Sequence, residues 1–187
     1  MIKRLFDLTA SCLGLVLASP VLLPVMFLVW LQDKHSPFYV APRVGRNDIP
    51  FMMIKLRSMV VNADKSGVDS TAANDNRITA VGQFIRRYKL DELVQLWNVL
   101  KGDMSLVGPR PCLFNQQELI SHRAALGVFS ARPGITGLAQ IQGIDMSTPE
   151  LLAKTDAQML ASLTLPDYFR YIFLTVIGRG SGDRVRR

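Results

Sequence analysis

The apolar positions of this chain form one long run and several short periodic segments. No charged residue occurs between Asp7 and Asp33. At a rise of about 1.5 Å per residue, such a run can cross a hydrocarbon core of roughly 30 Å. Ser19-Pro20 interrupts it near the middle, and Pro24 interrupts it again one turn later. Each proline removes a backbone donor and crowds the preceding turn, where no water replaces the lost bond. The Ser19 hydroxyl can bond back to a carbonyl one turn earlier. Two arrangements satisfy the pattern: a kinked helix that spans the bilayer, or a bent helix that enters and leaves by one face. Cations flank both ends (Lys3 and Arg4; Lys34), so the positive-inside rule has no asymmetry to act on, which favours the re-entrant form. A cleavable leader is not expected, because the run is too long and no small-residue cleavage site follows it before Gln32-Asp33-Lys34.

Beyond residue 34 the periods shorten. Phe38-Tyr39-Val40 and Phe51 to Leu56 are apolar runs separated by a turn-rich stretch with Asn47-Asp48, predicting a small β-hairpin. Residues 62–76 are polar, small and aperiodic, as in a mobile loop or lid. From Val81 to Leu100 the pattern is helical. Val81, Phe84, Ile85 and Tyr88 share one face, and Leu93, Leu96, Trp97 and Leu100 another. The phase changes near Lys89, which predicts two helices with Asp91 and Glu92 in the first turn of the second; Gly102 suits its C-terminal cap. A shorter helix is expected over 114–125, then a rigid turn at Arg132-Pro133-Gly134-Ile135-Thr136-Gly137. Thr148-Pro149-Glu150 reads as cap, first-turn proline and acidic first turn. Leu165 to Gly178 is almost wholly apolar and aromatic, either a core helix or, the preferred reading, an interfacial helix on a membrane. The basic tail 178–187 suits anionic lipid.

Composition narrows the class. The chain has 187 residues, 49% of them apolar, and a net charge of +7; its mean hydropathy is +0.19. One membrane segment (1–33) plus one globular part (34–187) is the simplest fit. The charge favours phosphates or anionic headgroups. Nucleic acid is not an expected partner, because the cations are not interleaved with aromatics. Two cysteines, Cys12 and Cys112, suggest no disulfide framework. His35 and His122 stand apart, so no cysteine–histidine cluster has zinc spacing.

The candidate chemistry centres on Lys89-Leu90-Asp91-Glu92-Leu93. An acidic pair at a helix start is ordinarily a cap and a partner for the helix dipole. Here Leu90 and Leu93 flank it, and Arg86-Arg87-Tyr88-Lys89 places three cations directly before it. An ionised carboxylate near cations can attack phosphorus, provided Lys, Arg or a divalent ion neutralises the approaching phosphate. An oxygen-only donor set with few protein ligands suits magnesium. Arg110, held between Pro109 and Pro111, is a candidate phosphate clamp. Lys55 and Arg57, on one face at the end of the second strand, with Arg77 and Arg132, are further candidates.

These residues fall in a recognisable order: Lys3-Arg4-Leu5-Phe6-Asp7, Ser19-Pro20, Arg43-Val44-Gly45-Arg46, Lys55-Leu56-Arg57-Ser58-Met59, Asp75-Asn76-Arg77-Ile78-Thr79, Leu90 to Pro111, and Pro133 to Gln140. In that order and spacing the chain resembles the small monotopic phosphoglycosyl transferases, the bacterial undecaprenyl-phosphate sugar phosphotransferase family. The resemblance implies an α+β, mostly helical fold with a re-entrant helix broken at Ser19-Pro20, a small hairpin and interfacial amphipathic helices. It implies a location on the cytoplasmic face of a bacterial inner membrane.

It also implies a two-step reaction. Asp91 attacks the β-phosphorus of a UDP-sugar, UMP leaves, and a polyprenol phosphate takes the phosphosugar from the enzyme, with Mg2+ as cofactor. Asp91 and Glu92 would be the catalytic and metal-binding pair; Lys55, Arg57, Arg77, Arg86, Arg110, Arg132 and Thr136 would bind substrate. A homodimer is compatible with this reading. Val94 stands where the family usually has proline, and Lys89 where a Ser or Thr often caps the helix, so that cap is expected from elsewhere or not at all. After Gln140 the pattern diverges, which leaves the sugar open. The rival reading is a membrane-anchored basic binding or scaffold protein without catalysis.

Overall fold

The structure is a computed structural model that describes residues 2–63 and 75–178. It is α+β and mostly helical. Helix α1 (Ile2–Asp33) leads into a hairpin of β1 (Phe38–Val44) and β2 (Pro50–Leu56). Helices α2 (Ala80–Arg87), α3 (Leu90–Leu93) and α4 (Leu96–Lys101) follow, then β3 (Ser105–Val107), α5 (Gln117–Ala125), β4 (Gly134–Thr136), α6 (Leu138–Gln142), α7 (Pro149–Ser162) and α8 (Leu165–Val176).

The hairpin expected between Phe38 and Leu56 is present, antiparallel, with Phe38 opposite Leu56 and Val44 opposite Pro50. The left-handed Asn47 and Asp48 make its turn. A second sheet was not foreseen: β3 and β4 pair in parallel, Ser105 with Gly134 and Val107 with Thr136. The glycine-rich segment read as a turn is therefore partly a strand. The close approach explains its glycines: a Cβ on Gly134 would lie 2.1 Å from the Gly108 nitrogen, and one on Gly137 would lie 2.6 Å from the Gly108 oxygen.

Helix α1 is, among the described residues, the one helix long and apolar enough to cross a membrane. Pro20 lies inside it, and the Ser19 hydroxyl donates to the Val16 carbonyl at 2.7 Å. Val16 is four residues before Pro20, so the serine replaces the donor that the proline lacks. One stripe of α1 is buried over most of its length: Asp7, Ser11, Leu22, Val25 and Val29. Leu13, Val16, Leu17, Leu23, Phe27 and Leu28 are exposed.

Both ends of α1 bond to the globular part. At the start, Lys3 donates to the Leu163 carbonyl and Arg4 to Val99 and Leu100. Asp7, 3% exposed, accepts from the Ser105 hydroxyl, the Leu106 N–H and the Tyr168 hydroxyl. At the end, Asp33 takes a bidentate bond from Arg57, at 2.5 and 2.7 Å.

Burial and the neighbouring Asp7 push the Tyr168 hydroxyl well above the ordinary tyrosine range. A tyrosine whose folded pKa is raised stabilises the fold fully below its unfolded value of about 10, and that contribution fades as pH rises beyond it. Tyr168→Phe is expected to cost about 1–2 kcal/mol at neutral pH by removing one of the three donors to the buried Asp7 carboxylate. It should also flatten the alkaline fall in stability, both read from melting in detergent between pH 8 and pH 11.

The predicted break at Lys89 is real. Lys89 has φ +54°, in the left-handed region, and it ends α2's direction before α3 opens. No side chain caps α3, as the departure at Lys89 led us to expect. Gly102 closes α4 with φ +96°. Of the predicted apolar face on α2, Ile85 is buried while Phe84 and Tyr88 are exposed; only one turn of that face meets the core formed with Leu22, Val25 and Leu90.

Thr148 precedes α7 and its first-turn proline, but its side chain makes no capping bond; its hydroxyl turns back to Asp145. Helix α8 instead carries a full capping box between Thr164 and Asp167. Its Tyr168 and Tyr171 are buried, whereas Leu165, Phe169, Phe173 and Val176 form an exposed apolar stripe. Most of the expected lid, residues 64–74, and the basic tail from 179 lie outside the described residues.

Candidate functional site

The acidic pair and the predicted cations meet, in part, between β2, α3 and the turn after β3. Glu92 Oε1 lies 3.9 Å from Lys55 Nζ and 3.6 Å from Arg110 Nη2. All three side chains are largely shielded from solvent. Asp91 is 5% exposed. Because α3 is a single turn, with tightened bonds from Gln95 to Glu92 and from Trp97 to Val94 before α4 continues, its end field is weaker than a long helix would supply. The positive charge at Glu92 therefore comes mainly from Lys55 and Arg110.

Two arrangements hold these groups. The buried Asn98 side chain accepts from the Ile54 N–H at 3.0 Å and donates to the Met52 carbonyl at 2.8 Å. It thereby replaces a neighbouring strand along β2, the strand that presents Lys55. On the other side, the Arg110 carbonyl accepts from Arg123 Nη1 at 2.8 Å. Arg123 also binds Asp156 Oδ2 through Nε at 3.0 Å and Nη2 at 2.6 Å. These two side chains are 2% and 0% exposed, so Arg110 is anchored through a buried ion pair joining α5 to α7. Sequence reasoning missed both devices, since neither has a local signal: Asn98 is 44 residues from Ile54, and Arg123 is 33 from Asp156.

The other predicted cations are placed differently. Arg86 donates through Nε to the Ser58 hydroxyl at 2.8 Å. Its Nη1 is buried with no partner among the described residues. Arg57 is committed to Asp33 and the Ser36 carbonyl, so it secures the end of α1 rather than joining Lys55. Arg77 binds Asp75, with bonds of 2.6 to 3.1 Å, and holds that carboxyl down at about 2. Arg132 donates to the Gly102 carbonyl at 2.8 Å and helps close α4. The Thr136 hydroxyl meets that of Thr175 at 2.5 Å, tying β4 to α8. The structure thus gathers Lys55 and Arg110 around Glu92, the chain neighbour of Asp91, and gives Arg57, Arg132 and Thr136 contacts within the fold.

Among the described residues no cluster of three or more His, Cys, Asp or Glu side chains gathers. The donor set at the site is two carboxylates, Asp91 and Glu92. That set fits magnesium, which keeps several waters and takes one or two carboxylates plus substrate phosphate, and does not fit zinc.

The sequence profile described as bacterial sugar transferase matches residues 1–179. The chain is 35% identical over 200 residues to the exopolysaccharide production protein ExoY of Rhizobium meliloti, covering 97% of this chain and 88% of that one. It is 39% identical over 144 residues to the UDP-glucose:undecaprenyl-phosphate glucose-1-phosphate transferase of Caulobacter vibrioides, covering 76% and 54%. It is 36% identical over 191 residues to the UDP-galactose-lipid carrier transferase of Erwinia amylovora, covering 94% and 39%. The chain therefore spans about half or less of the length of the latter two relatives. A profile match over nearly the whole chain, together with a relative aligned along most of both lengths, establishes that this chain belongs to the bacterial sugar transferase family.

Proposed function

We propose that this protein transfers a phosphosugar from a UDP-sugar to a polyprenol phosphate at the cytoplasmic face of a bacterial inner membrane. This would begin the assembly of a lipid-linked glycan. The observation that carries the reading is the shielded group of Asp91, Glu92, Lys55 and Arg110. In the first step an Asp91 oxygen bonds to the β-phosphorus of the UDP-sugar, and the bond from that phosphorus to the bridging oxygen breaks. UMP leaves with that oxygen. In the second step a polyprenol phosphate oxygen bonds to the same phosphorus, and Asp91 departs as a carboxylate. Glu92 would accept the acceptor's proton, or would hold a metal with Asp91.

Lys55 and Arg110 offset the repulsion between carboxylate and phosphate, and the buried Arg86 Nη1 offers another donor to a phosphate oxygen. Low exposure at Asp91 strips water from the nucleophile and shields an acyl phosphate from hydrolysis. A bound magnesium ion would supply further charge neutralisation on the diphosphate. The test is a panel of UDP-sugars given to the purified protein without lipid acceptor. The expected result is release of UMP stoichiometric with enzyme for at least one sugar, and steady turnover once undecaprenyl phosphate is added. No UMP from any sugar, with affinity for acidic lipid only, would support the binding-protein rival.

The same proposal includes a monotopic arrangement in which α1 dips into the membrane and returns. Its support is that Lys3, Arg4 and Asp7 at one end and Asp33 at the other bond to one globular body. In a Cys12→Ser, Cys112→Ala background, Ile2→Cys and His35→Cys are expected to react with impermeant maleimide from the same side of sealed vesicles. Reaction from opposite sides would mean a spanning helix.

A further inference from the structure

Three consecutive residues at the end of β2 meet three different parts of the molecule. Lys55 Nζ lies 3.9 Å from Glu92 Oε1. Leu56 is buried in one apolar cluster with Leu22, Val25 and Val29 of α1 and with Leu90 and Val94 at the two ends of α3. Arg57 forks onto Asp33, the last residue of α1, at 2.5 and 2.7 Å. Its Nε and its backbone N–H also donate to the Ser36 and Pro37 carbonyls, both at 2.8 Å. We propose that Asp33 and Arg57 are a positioning pair for the reaction: their clasp holds the exit of α1 against the end of β2 and so sets Lys55 beside Glu92. The inference rests on the charge-neutralising role given to Lys55 above.

The connection between the clasp and the site is short. Two extended residues span about 7 Å, and the one between Lys55 and Arg57 belongs to a core that also holds both ends of α3. Such interiors are close-packed, so a shift at Arg57 is passed on through Leu56 rather than absorbed. The Lys55 side chain is only 15% exposed, which confines its stem and limits how far the ammonium can swing to make up a displaced backbone. Upstream, Asn98 braces the Ile54 N–H; downstream, the brace is Arg57. A guanidinium fork on a carboxylate fixes direction as well as distance.

The experiment is a double-mutant cycle on the acceptor-free UMP burst, with the full chain in detergent. Lys55→Ala and Asp33→Asn are made singly and together. At saturating UDP-sugar, Asp33→Asn should slow the burst about tenfold by displacing Lys55. In the Lys55→Ala background the same change should alter the burst by less than about twofold, because the group it positions is already gone. Lys3→Met is the control. It removes another tie of α1, to the Leu163 carbonyl, and should leave the burst unchanged.

An unchanged burst in Asp33→Asn overturns the proposal. So does equal slowing with and without Lys55, or in Lys3→Met, since the pair would then act only by seating α1. A normal burst in Lys55→Ala alone overturns the role of Lys55, and the clasp's role with it, before the clasp is touched. Arg57→Lys serves if Asp33→Asn does not fold. It keeps the positive charge but loses the fork, and it should slow the burst only where Lys55 is present; a burst equal to that of the unaltered protein overturns the proposal.

Discussion

Asp91→Asn is expected to abolish the UMP burst and to lower turnover by about a thousandfold or more, equivalent to about 4 kcal/mol of barrier. The amide keeps the shape of the carboxylate but lacks its charge and cannot form the acyl phosphate. The position is 5% exposed within a folded helical turn, so an isosteric change should leave the melting temperature close to its starting value. Mass spectrometry of the unaltered protein after incubation with UDP-sugar should find the phosphosugar on Asp91. Glu92→Gln separates the two acids: it should slow transfer to the lipid while leaving an adduct that forms. A burst that survives in Asp91→Asn would show that the nucleophile lies elsewhere and would end this mechanism.

Breaking the buried Arg123–Asp156 pair is expected to have the largest effect on stability. Burial pushes the Asp156 carboxyl up, and the Arg123 guanidinium opposes that. Arg123→Leu would leave a carboxylate in a place that disfavours its charge, at a cost of about 3–5 kcal/mol. The double replacement Arg123→Leu, Asp156→Leu removes both charges and should recover much of that loss. Recovery of stability is not recovery of function. The Arg110 carbonyl is held by Arg123 Nη1, so the double variant should fold yet keep a raised KM for UDP-sugar. Thermal melts with UMP-release kinetics decide this. A double variant as unstable as the single one would contradict the charge-burial account, and an unchanged KM would remove Arg123 as a positioning residue.

Much of the local structure is legible along the chain because short-range chemistry writes it. The hairpin follows from two apolar runs around Asn47-Asp48. The bend at Lys89 follows from a change of helical phase, and the α4 terminus from Gly102. The serine rescue inside α1 can be read from Ser19-Pro20, since the orphaned carbonyl is always four residues before a proline. The acidic pair was visible as chemistry for the same reason. The β3–β4 pairing was not, because a three-residue strand has almost no periodic signal; it shows only as glycines whose missing side chains admit another backbone.

By itself the amino-acid sequence determined an apolar helix that water cannot accommodate, a basic surface, and an acid pair set among cations. Only the tertiary structure decided which cations lie beside Glu92. Lys55, Arg57, Arg110 and Arg132 look equivalent in a sequence, yet Lys55 and Arg110 converge on Glu92, Arg57 closes on Asp33, and Arg132 ends α4. A guanidinium reaches several ångströms in any direction, so its role depends on which carbonyl or carboxylate the folded chain brings within hydrogen-bond range. That proximity is set by contacts between residues tens of positions apart, which no local pattern encodes.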